Sequence, residues 1–318
     1  MKKTKVCAIV NPVSGTSSKD NIPLKITESL DALKYEVEVK ITEYPSQATT
    51  ITQEAVKNGF DIVIAVGGDG TVNEIARALV DTNCTLGILP LGSGNGLARD
   101  LKISLNLDEA INVIKENNVR VIDYGIANEH IFFCTCGVGF DAFVSKKFDE
   151  DVQRGRIGYF KNIMEGFAEF KSEEYEITYD GGVLKEQAFI VTCANASQYG
   201  FDAVIAPGAD MEDGKLNVSI LKPMNALEVP VATFQLFAKT LDKNHKVITL
   251  ETSNITIKRK HDGYLQIDGE PLNAGKEINI KVIPKGLRVL VPTIMKTYEK
   301  ENQNIFNALT RWFSNTQH

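Results

Sequence analysis

Three glycines and one aspartate fall within four positions, Gly67-Gly68-Asp69-Gly70, between an apolar run at 62–66 and a helix-like pattern that opens with Thr71, Asn73 and Glu74. A backbone without Cβ atoms can turn sharply and press against a ligand. The helix behind it offers free N–H groups and the positive end of its dipole, a natural seat for phosphate. A lone carboxylate beside phosphate makes sense mainly as a direct or water-mediated Mg²⁺ partner, so Asp69 is a candidate metal organiser. Taken alone, the segment is equally well explained as a strand-to-helix corner with a surface aspartate.

A second loop shifts that balance. Leu91-Gly92-Ser93-Gly94-Asn95-Gly96 follows the strand-like run 86–89 and leads into a helical turn at 96–101. Its glycines and Ser93 can wrap a second side of a nucleotide, and Asn95 offers both donor and acceptor. A third polar turn, Asn11-Pro12-Val13-Ser14-Gly15, follows the strand 6–10. Loops that follow parallel strands open together at the carboxyl edge of the sheet, where ligands of α/β folds bind. The three loops therefore read as one phosphate site. No G-x-x-x-x-G-K-[ST] occurs, which excludes the P-loop class. Gly137-Val138-Gly139-Phe140-Asp141-Ala142 fits a loose dinucleotide fingerprint but lacks a strand–helix–strand unit around it, and reads as a turn lining the cleft.

A different chemistry is offered by Tyr264-Leu-Gln-Ile-Asp268-Gly269-Glu270-Pro271, a strand ending in an acidic turn. Phosphoryl transfer to an alcohol needs alignment, charge neutralisation and a carboxylate that accepts the hydroxyl proton. Asp268 is the candidate base. Asp-Gly also serves turn geometry alone.

These residues need elements to position them. Strands at 6–10, 35–41, 62–66 and 86–89 alternate with helices at 22–33, 48–58 and 71–80, a pattern that implies parallel crossovers in a layered α/β sheet. From residue 119 strands follow one another with turn signals, at 131–136, 175–179, 188–193, 216–221, 246–251, 255–260, 264–267 and 278–282, with helices only at 157–170 and 229–241. That half is expected to be β-rich and antiparallel. The expected domains are 1–124 plus 293–318, which hold nucleotide, and 125–292, with a cleft between them.

The 318 residues suit two domains at about 150 residues each, and 43% hydrophobic with 24% charged residues is ordinary globular usage. A net charge of −6 supplies no field for a phosphate backbone and excludes nucleic acid as the main partner. The first apolar stretch, 6–10, is shorter than the about 7–15 residues of a signal peptide, and no run approaches the about 18 apolar residues of a membrane span. Five cysteines without a C-x-x-C pair suggest neither a disulfide framework nor a zinc site, so a cytoplasmic protein is expected, with Cys134 and Cys136 as small core residues.

Together these segments resemble the diacylglycerol kinase catalytic family, in particular its bacterial soluble lipid kinases and their sphingosine and ceramide kinase relatives. The resemblance runs from Asn11-Pro-x-Ser-Gly15 through Gly67 to Glu74, Pro90 to Ala98, Gly139-Phe-Asp141, Ala206-Pro207 and Asp213-Gly214 to Asp268-Gly-Glu-Pro271. It implies an α/β first domain similar to that of NAD kinases, ATP and Mg²⁺ in the cleft, and a lipid with a free hydroxyl, diacylglycerol-like or sphingoid-like, as acceptor. By the same resemblance Asn11, Thr42, the loop from Gly67 to Asn73 with Glu74 behind it, and Ser93 with Asn95 contact nucleotide, and Asp268 accepts the proton. It further implies a second Mg²⁺ held by Asp213 with backbone carbonyls near Asp210 and Lys215. The chain departs from the family at Gly96, where bacterial diacylglycerol kinases usually carry Asp, and no acid stands at Val144 or Ser145 to pair with a sphingoid amine. Arg154 and Arg156 are candidates for headgroup contact, and Ile305, Phe306, Leu309, Trp312 and Phe313 form a helical stripe suited to packing on the first domain or to lying in a membrane surface. Peripheral contact with the inner face of the membrane and a homodimer are both compatible with the sequence. The competing functions are an NAD kinase, which shares the Gly-Gly-Asp-Gly turn, and a catalytically silent lipid- or nucleotide-binding regulator.

Overall fold

The structure is a computed structural model that describes residues 2–15, 21–150, 166, 169–225 and 227–293. The first part alternates strands β1 (Thr4–Val10), β2 (Tyr35–Ile41), β3 (Ile62–Gly67) and β4 (Thr85–Pro90) with helices α1 (Ile22–Ser29), α2 (Gln47–Lys57), α3 (Asp69–Leu79), α4 (Gly96–Asp100) and α5 (Leu107–Glu116). Its strands pair in the parallel order β2-β1-β3-β4. Every residue of β3 and β4 is buried, as continuous apolar runs between two helical layers must be. Helix α1 ends at Ser29, short of the expected residue 33, because Asp31 forms a turn: its carboxylate accepts from Leu33 N at 2.9 Å and its carbonyl from Lys34 N at 2.9 Å.

The second part contains β5 (Val119–Ala127), β6 (His130–Phe132), β7 (Thr135–Gly139), α6 (Phe140–Glu150), β8 (Glu173–Tyr179), β9 (Gly182–Ala188), β10 (Ile190–Ala194), β11 (Leu216–Leu221), α7 (Glu228–Phe237), β12 (Val247–Thr252), β13 (Asn254–Arg259), β14 (Gly263–Ile267), β15 (Glu270–Ala274) and β16 (Glu277–Leu290). One sheet has the antiparallel order β12-β11-β10-β7-β14-β15. The other continues the first domain's sheet through β16 to β13, β8 and β9. Apolar residues of the two sheets, among them Cys136, Val191, Ile257 and Ile280, form the core between them.

Three expectations are corrected here. The run 131–136 is not one strand but β6 and β7, broken at Phe133 and Cys134 because their amides bond to a carboxylate instead of a neighbouring strand. Gly137 and Gly139 do not lie in a turn; they belong to β7, which runs straight into α6. The strand expected at 278–282 extends to Leu290, its register shifting between Ile283 and Leu287, so Pro284-Lys285-Gly286 is a bulge and not a terminus. Past that bulge Leu287, Val289 and Leu290 enter the first core, and Val289 pairs in parallel with Leu86.

All five cysteines are buried and unpaired by disulfides. No helix among the described residues is long and apolar enough to cross a membrane. Arg154, Arg156 and the stripe at 302–313 lie outside the described residues, as does the expected helix 157–170 apart from Gly166, Glu169 and Phe170.

Candidate active site

Parallel register brings the three polar loops together. Val10 lies beside Val66 and Gly67 beside Pro90, so the residues that follow emerge side by side at the carboxyl edge. Thr42 N donates to Val10 O, Asn11 N to Val66 O and Leu91 N to Gly67 O, at 2.9, 3.0 and 2.8 Å, extending the ladder one residue into each loop. Asn11 Nδ2 then donates to Thr71 Oγ1 at 2.9 Å, tying the first turn to the start of α3. Gly67 leaves room for that hydroxyl, which would stand 2.6 Å from a Cβ at residue 67.

The two glycine loops touch. A Cβ on Gly92 would lie 2.5 Å from Gly68 Cα, inside any allowed carbon contact. Gly92→Ala is therefore expected to push the loops apart and weaken ATP binding by about tenfold or more, as a misplacement of about 1 Å does in such sites. Calorimetric titration with ATP checks this; unchanged affinity would mean that the loops do not act together. Gly70 and Ser93 are exposed, while Asn73 is buried.

Asp69 opens α3 and reaches across to the second loop. Its Oδ2 accepts Asn95 N at 2.8 Å and its Oδ1 accepts Gly96 N at 2.7 Å, capping α4 from another element. One donor per oxygen leaves lone pairs for a further partner. Mg²⁺ is commonly held by one or two carboxylates, waters and substrate phosphates, so a single half-satisfied carboxylate can serve as one such ligand. Asn95 and Glu74 stand at the site but turn their side chains to the protein. Asn95 Oδ1 accepts Gly92 N at 3.1 Å while its Nδ2 donates to Gly92 O at 2.8 Å, and Glu74 accepts Ser46 N at 3.3 Å.

The departure at Gly96 has a visible setting. A Cβ there would meet Tyr199 O at 3.4 Å and Gly200 N at 3.5 Å, because segment 195–202 of the second domain lies on this loop. Phe201 N donates to Gly94 O at 3.2 Å, and Arg99 pairs with Asp202 at 2.7 Å with both side chains largely buried. Sequence reasoning did not find Arg99 or Asp202; nothing local marks residues 103 positions apart as a pair.

Asp268 and Gly269 form the two-residue connection of the β14–β15 hairpin, with φ of 49° and 85°. Two positive φ values define the type I′ turn that Asp-Gly favours. The Asp268 carboxylate is held by three backbone donors, Phe133 N at 2.9 Å, Cys134 N at 2.7 Å and Thr135 N at 3.0 Å. Burial nevertheless lifts its pKa to about 6, while these donors and the Arg77 guanidinium pull the other way. Arg77 lies on α3, the helix that begins at Asp69, and its guanidinium stands 3.5 Å from Glu270 of the same hairpin. The hairpin that carries the base candidate thus lies against α3, the helix that begins at the first glycine loop.

Asp213 and Asp210 turn onto their own loop: Asp213 accepts Lys215 N at 2.8 Å and Asp210 accepts Glu212 N at 3.0 Å. Lys215 Nζ pairs with Glu251. The carboxylate that organises this turn is Asp123, fully buried, which accepts Gly214 N at 2.8 Å and Lys285 N at 2.7 Å. Sequence reasoning missed it. Among the described residues no group of three or more His, Cys, Asp or Glu side chains is placed to hold a metal.

A cavity of about 90 Å³, partly open to solvent, lies between α6, α7 and the sheet end. Phe140, Val144, Phe189, Ile190 and Leu236 give it apolar walls, and among the described residues Asp141 is its one carboxylate. Burial raises the Asp141 pKa to about 7, against hydrogen bonds from Thr192, Ala142, Gln266 and Tyr199.

A parallel α/β domain with glycine loops at its carboxyl edge is followed in the chain by an antiparallel β-domain that carries Asp268. Residues 5–127 match the diacylglycerol kinase catalytic domain, and residues 134–291 match the YegS C-terminal NAD kinase beta sandwich-like domain. The diacylglycerol kinase of Bacillus subtilis (strain 168) is 30% identical over 278 residues, 85% of this chain and 90% of that protein. The crystal structure of a diacylglycerol kinase from Bacillus anthracis str. Sterne superposes with a TM-score of 0.72 at 22% identity, covering 92% of this chain and 98% of that one. An NAD kinase from Archaeoglobus fulgidus in complex with ATP shares the fold at a TM-score of 0.51 and 15% identity, over 96% and 98% of the two chains. The chain belongs to the diacylglycerol kinase family of lipid kinases.

Proposed function

We propose that the protein transfers the γ-phosphoryl group of ATP to a hydroxyl of a diacylglycerol-like or sphingoid-like lipid. The observation that carries this is the carboxylate of Asp268, held by the amides of residues 133–135 and lifted by burial to about 6, on a hairpin whose Glu270 stands 3.5 Å from Arg77 of α3. The amides at the start of α3, with Gly68 and Gly92 allowing close approach, hold the phosphates. Asn11, Thr42, Thr71 and Ser93 surround the rest of the nucleotide. Mg²⁺, when bound at Asp69, neutralises charge that develops on the phosphate oxygens. Asp268 accepts the proton of the lipid hydroxyl as its oxygen bonds to the γ-phosphorus; the bond from that phosphorus to the β–γ bridging oxygen breaks, and ADP leaves with the electron pair.

The apolar cavity takes the acceptor's hydrocarbon chain. It is concave and mostly apolar, as ligand pockets are. Ala232→Trp, which fills it from α7, is expected to raise KM for a long-chain acceptor by about tenfold or more while leaving KM for ATP unchanged. Steady-state kinetics in mixed micelles read both; an unchanged lipid KM would place the chain elsewhere. Any membrane contact would be local and largely apolar, given the net charge of −6.

Soaking crystals with Mg²⁺ and a non-hydrolysable ATP analogue tests the nucleotide half. Phosphates against the amides of residues 68–71 are expected. An analogue bound in the apolar cavity instead would overturn the assignment.

A further inference from the structure

Two polar side chains in the second domain are almost fully buried and take no part in the transfer itself, Gln266 at 1% exposure and Asp141 at 9%. Gln266 sits on β14, opposite Gly137 of β7 and two residues before Asp268. Its Oε1 accepts Gly269 N at 2.9 Å, which is the second residue of the catalytic turn. Its Nε2 donates to Thr135 Oγ1 at 3.1 Å, and the same side chain lies close enough to Asp141 to pull that carboxyl's pKa down. Thr135 holds Asp268 twice through its backbone: its N–H donates to Oδ1 at 3.0 Å and its carbonyl accepts Asp268 N at 2.8 Å. Gln266 therefore bridges the two pieces of chain that frame the base.

The direction of that bridge is not free. A carboxamide has a donor end and an acceptor end, and only one orientation suits both neighbours. With the nitrogen end toward Asp141, the oxygen end must face Gly269 N. A flipped amide would set its NH₂ against the Gly269 N–H and leave that donor unsatisfied. Asp141 is itself fixed, by Ala142 N at 2.7 Å, Thr192 Oγ1 at 2.8 Å and Tyr199 OH at 3.3 Å. Its niche exists because residue 137 is glycine: a Cβ there would lie 2.3 Å from Asp141 Oδ2.

We propose that Gln266 is the positioning residue for Asp268, and that Asp141 acts behind it by fixing which way the Gln266 amide points. This rests on the reading of Asp268 as the proton acceptor. A turn held in two left-handed residues keeps its carboxylate aimed only while both flanks are tied.

Gln266→Leu is expected to lower kcat by about tenfold to a hundredfold, the loss typical of a base misplaced by about 1 Å, with KM for ATP within about twofold of the parent. Gln266→Glu keeps an acceptor for Gly269 N but sets a second carboxyl against Asp141, and is expected to be similarly impaired. Adding Asp141→Asn supplies a donor to that carboxyl, so the double variant Gln266→Glu/Asp141→Asn should recover most of kcat. Such a rescue at matched melting temperature separates aiming of the base from general destabilisation. Parental kcat in folded Gln266→Leu, or no recovery in the double variant, would overturn the proposal; should Gln266→Leu fail to fold, the Glu and Asn pair still decides it. Asp268→Asn run alongside keeps the two readings apart: if it turns over normally, the assignment of the base fails first.

Discussion

Asp268→Asn is expected to lower turnover by about 10²–10⁴-fold, the contribution of a positioned general base, while ATP affinity stays within about twofold. The side chain is nearly isosteric, and Asn tolerates the left-handed conformation that Asp268 holds at φ 49°. Asn retains one acceptor oxygen for the donors at residues 133–135, and its NH₂ would face the remaining N–H, a local cost of about 1–3 kcal/mol. Folding should survive and chemistry should not. The pH dependence follows from the same carboxyl. Its pKa rises from 3.8 to about 6 on folding, so the folded chain holds this proton more tightly than the unfolded chain. The stability it contributes is fully present below 3.8 and is lost as pH rises through about 6, a slope that Asp268→Asn should remove. Activity runs the opposite way, because only the ionised form accepts a proton: kcat/KM should fall as pH drops below about 6. Rate–pH profiles and calorimetric ATP titrations of both proteins check this, and a parental rate in the variant would require another base.

Asp69→Asn should be nearly as damaging by a different route. The carboxylate joins α3 to α4 through Asn95 N and Gly96 N and supplies an acidic group at the phosphate loops. Gly96 offers no side chain to substitute for it. Losing a preorganised charge at a phosphoryl-transfer site costs about 10²–10³-fold in kcat. One of the two amides would also face an NH₂, loosening the second loop, so KM for ATP should rise as well. The distinguishing readout is the Mg²⁺ concentration for half-maximal rate, expected to increase; the same Mg²⁺ dependence as the parent would place the metal away from Asp69.

Much of this arrangement can be read from residue types. Gly67-Gly68-Asp69-Gly70 and Gly92-Ser93-Gly94 announce themselves because each sits between an apolar strand and a helix, and parallel register turns such sequence neighbours into one edge. Asp268 is legible from its Asp-Gly turn. Its three donors are not, since they come from residues 133–135, about which the sequence says only that a strand passes. The same blindness explains β16, whose Pro284-Lys285-Gly286 looks like an end and is a bulge. It also explains Asn95 and Glu74, whose hydrogen bonds are local choices between ligand and own backbone that spacing cannot settle. Asp141 stood in plain view beside Gly139 and Phe140, yet its partners Thr192, Tyr199 and Gln266 converge only in the folded sheet.

The most direct measurement follows the label. The protein is incubated with Mg²⁺ and ATP labelled in the γ-phosphate, with diacylglycerols, sphingoid bases and N-acylated sphingoid bases in mixed micelles and NAD in the same tube, and the labelled product is identified. A labelled phospholipid, absent when Asp268→Asn replaces the parent, is the result this site requires. Labelled NADP, or no labelled product from any acceptor, would contradict it.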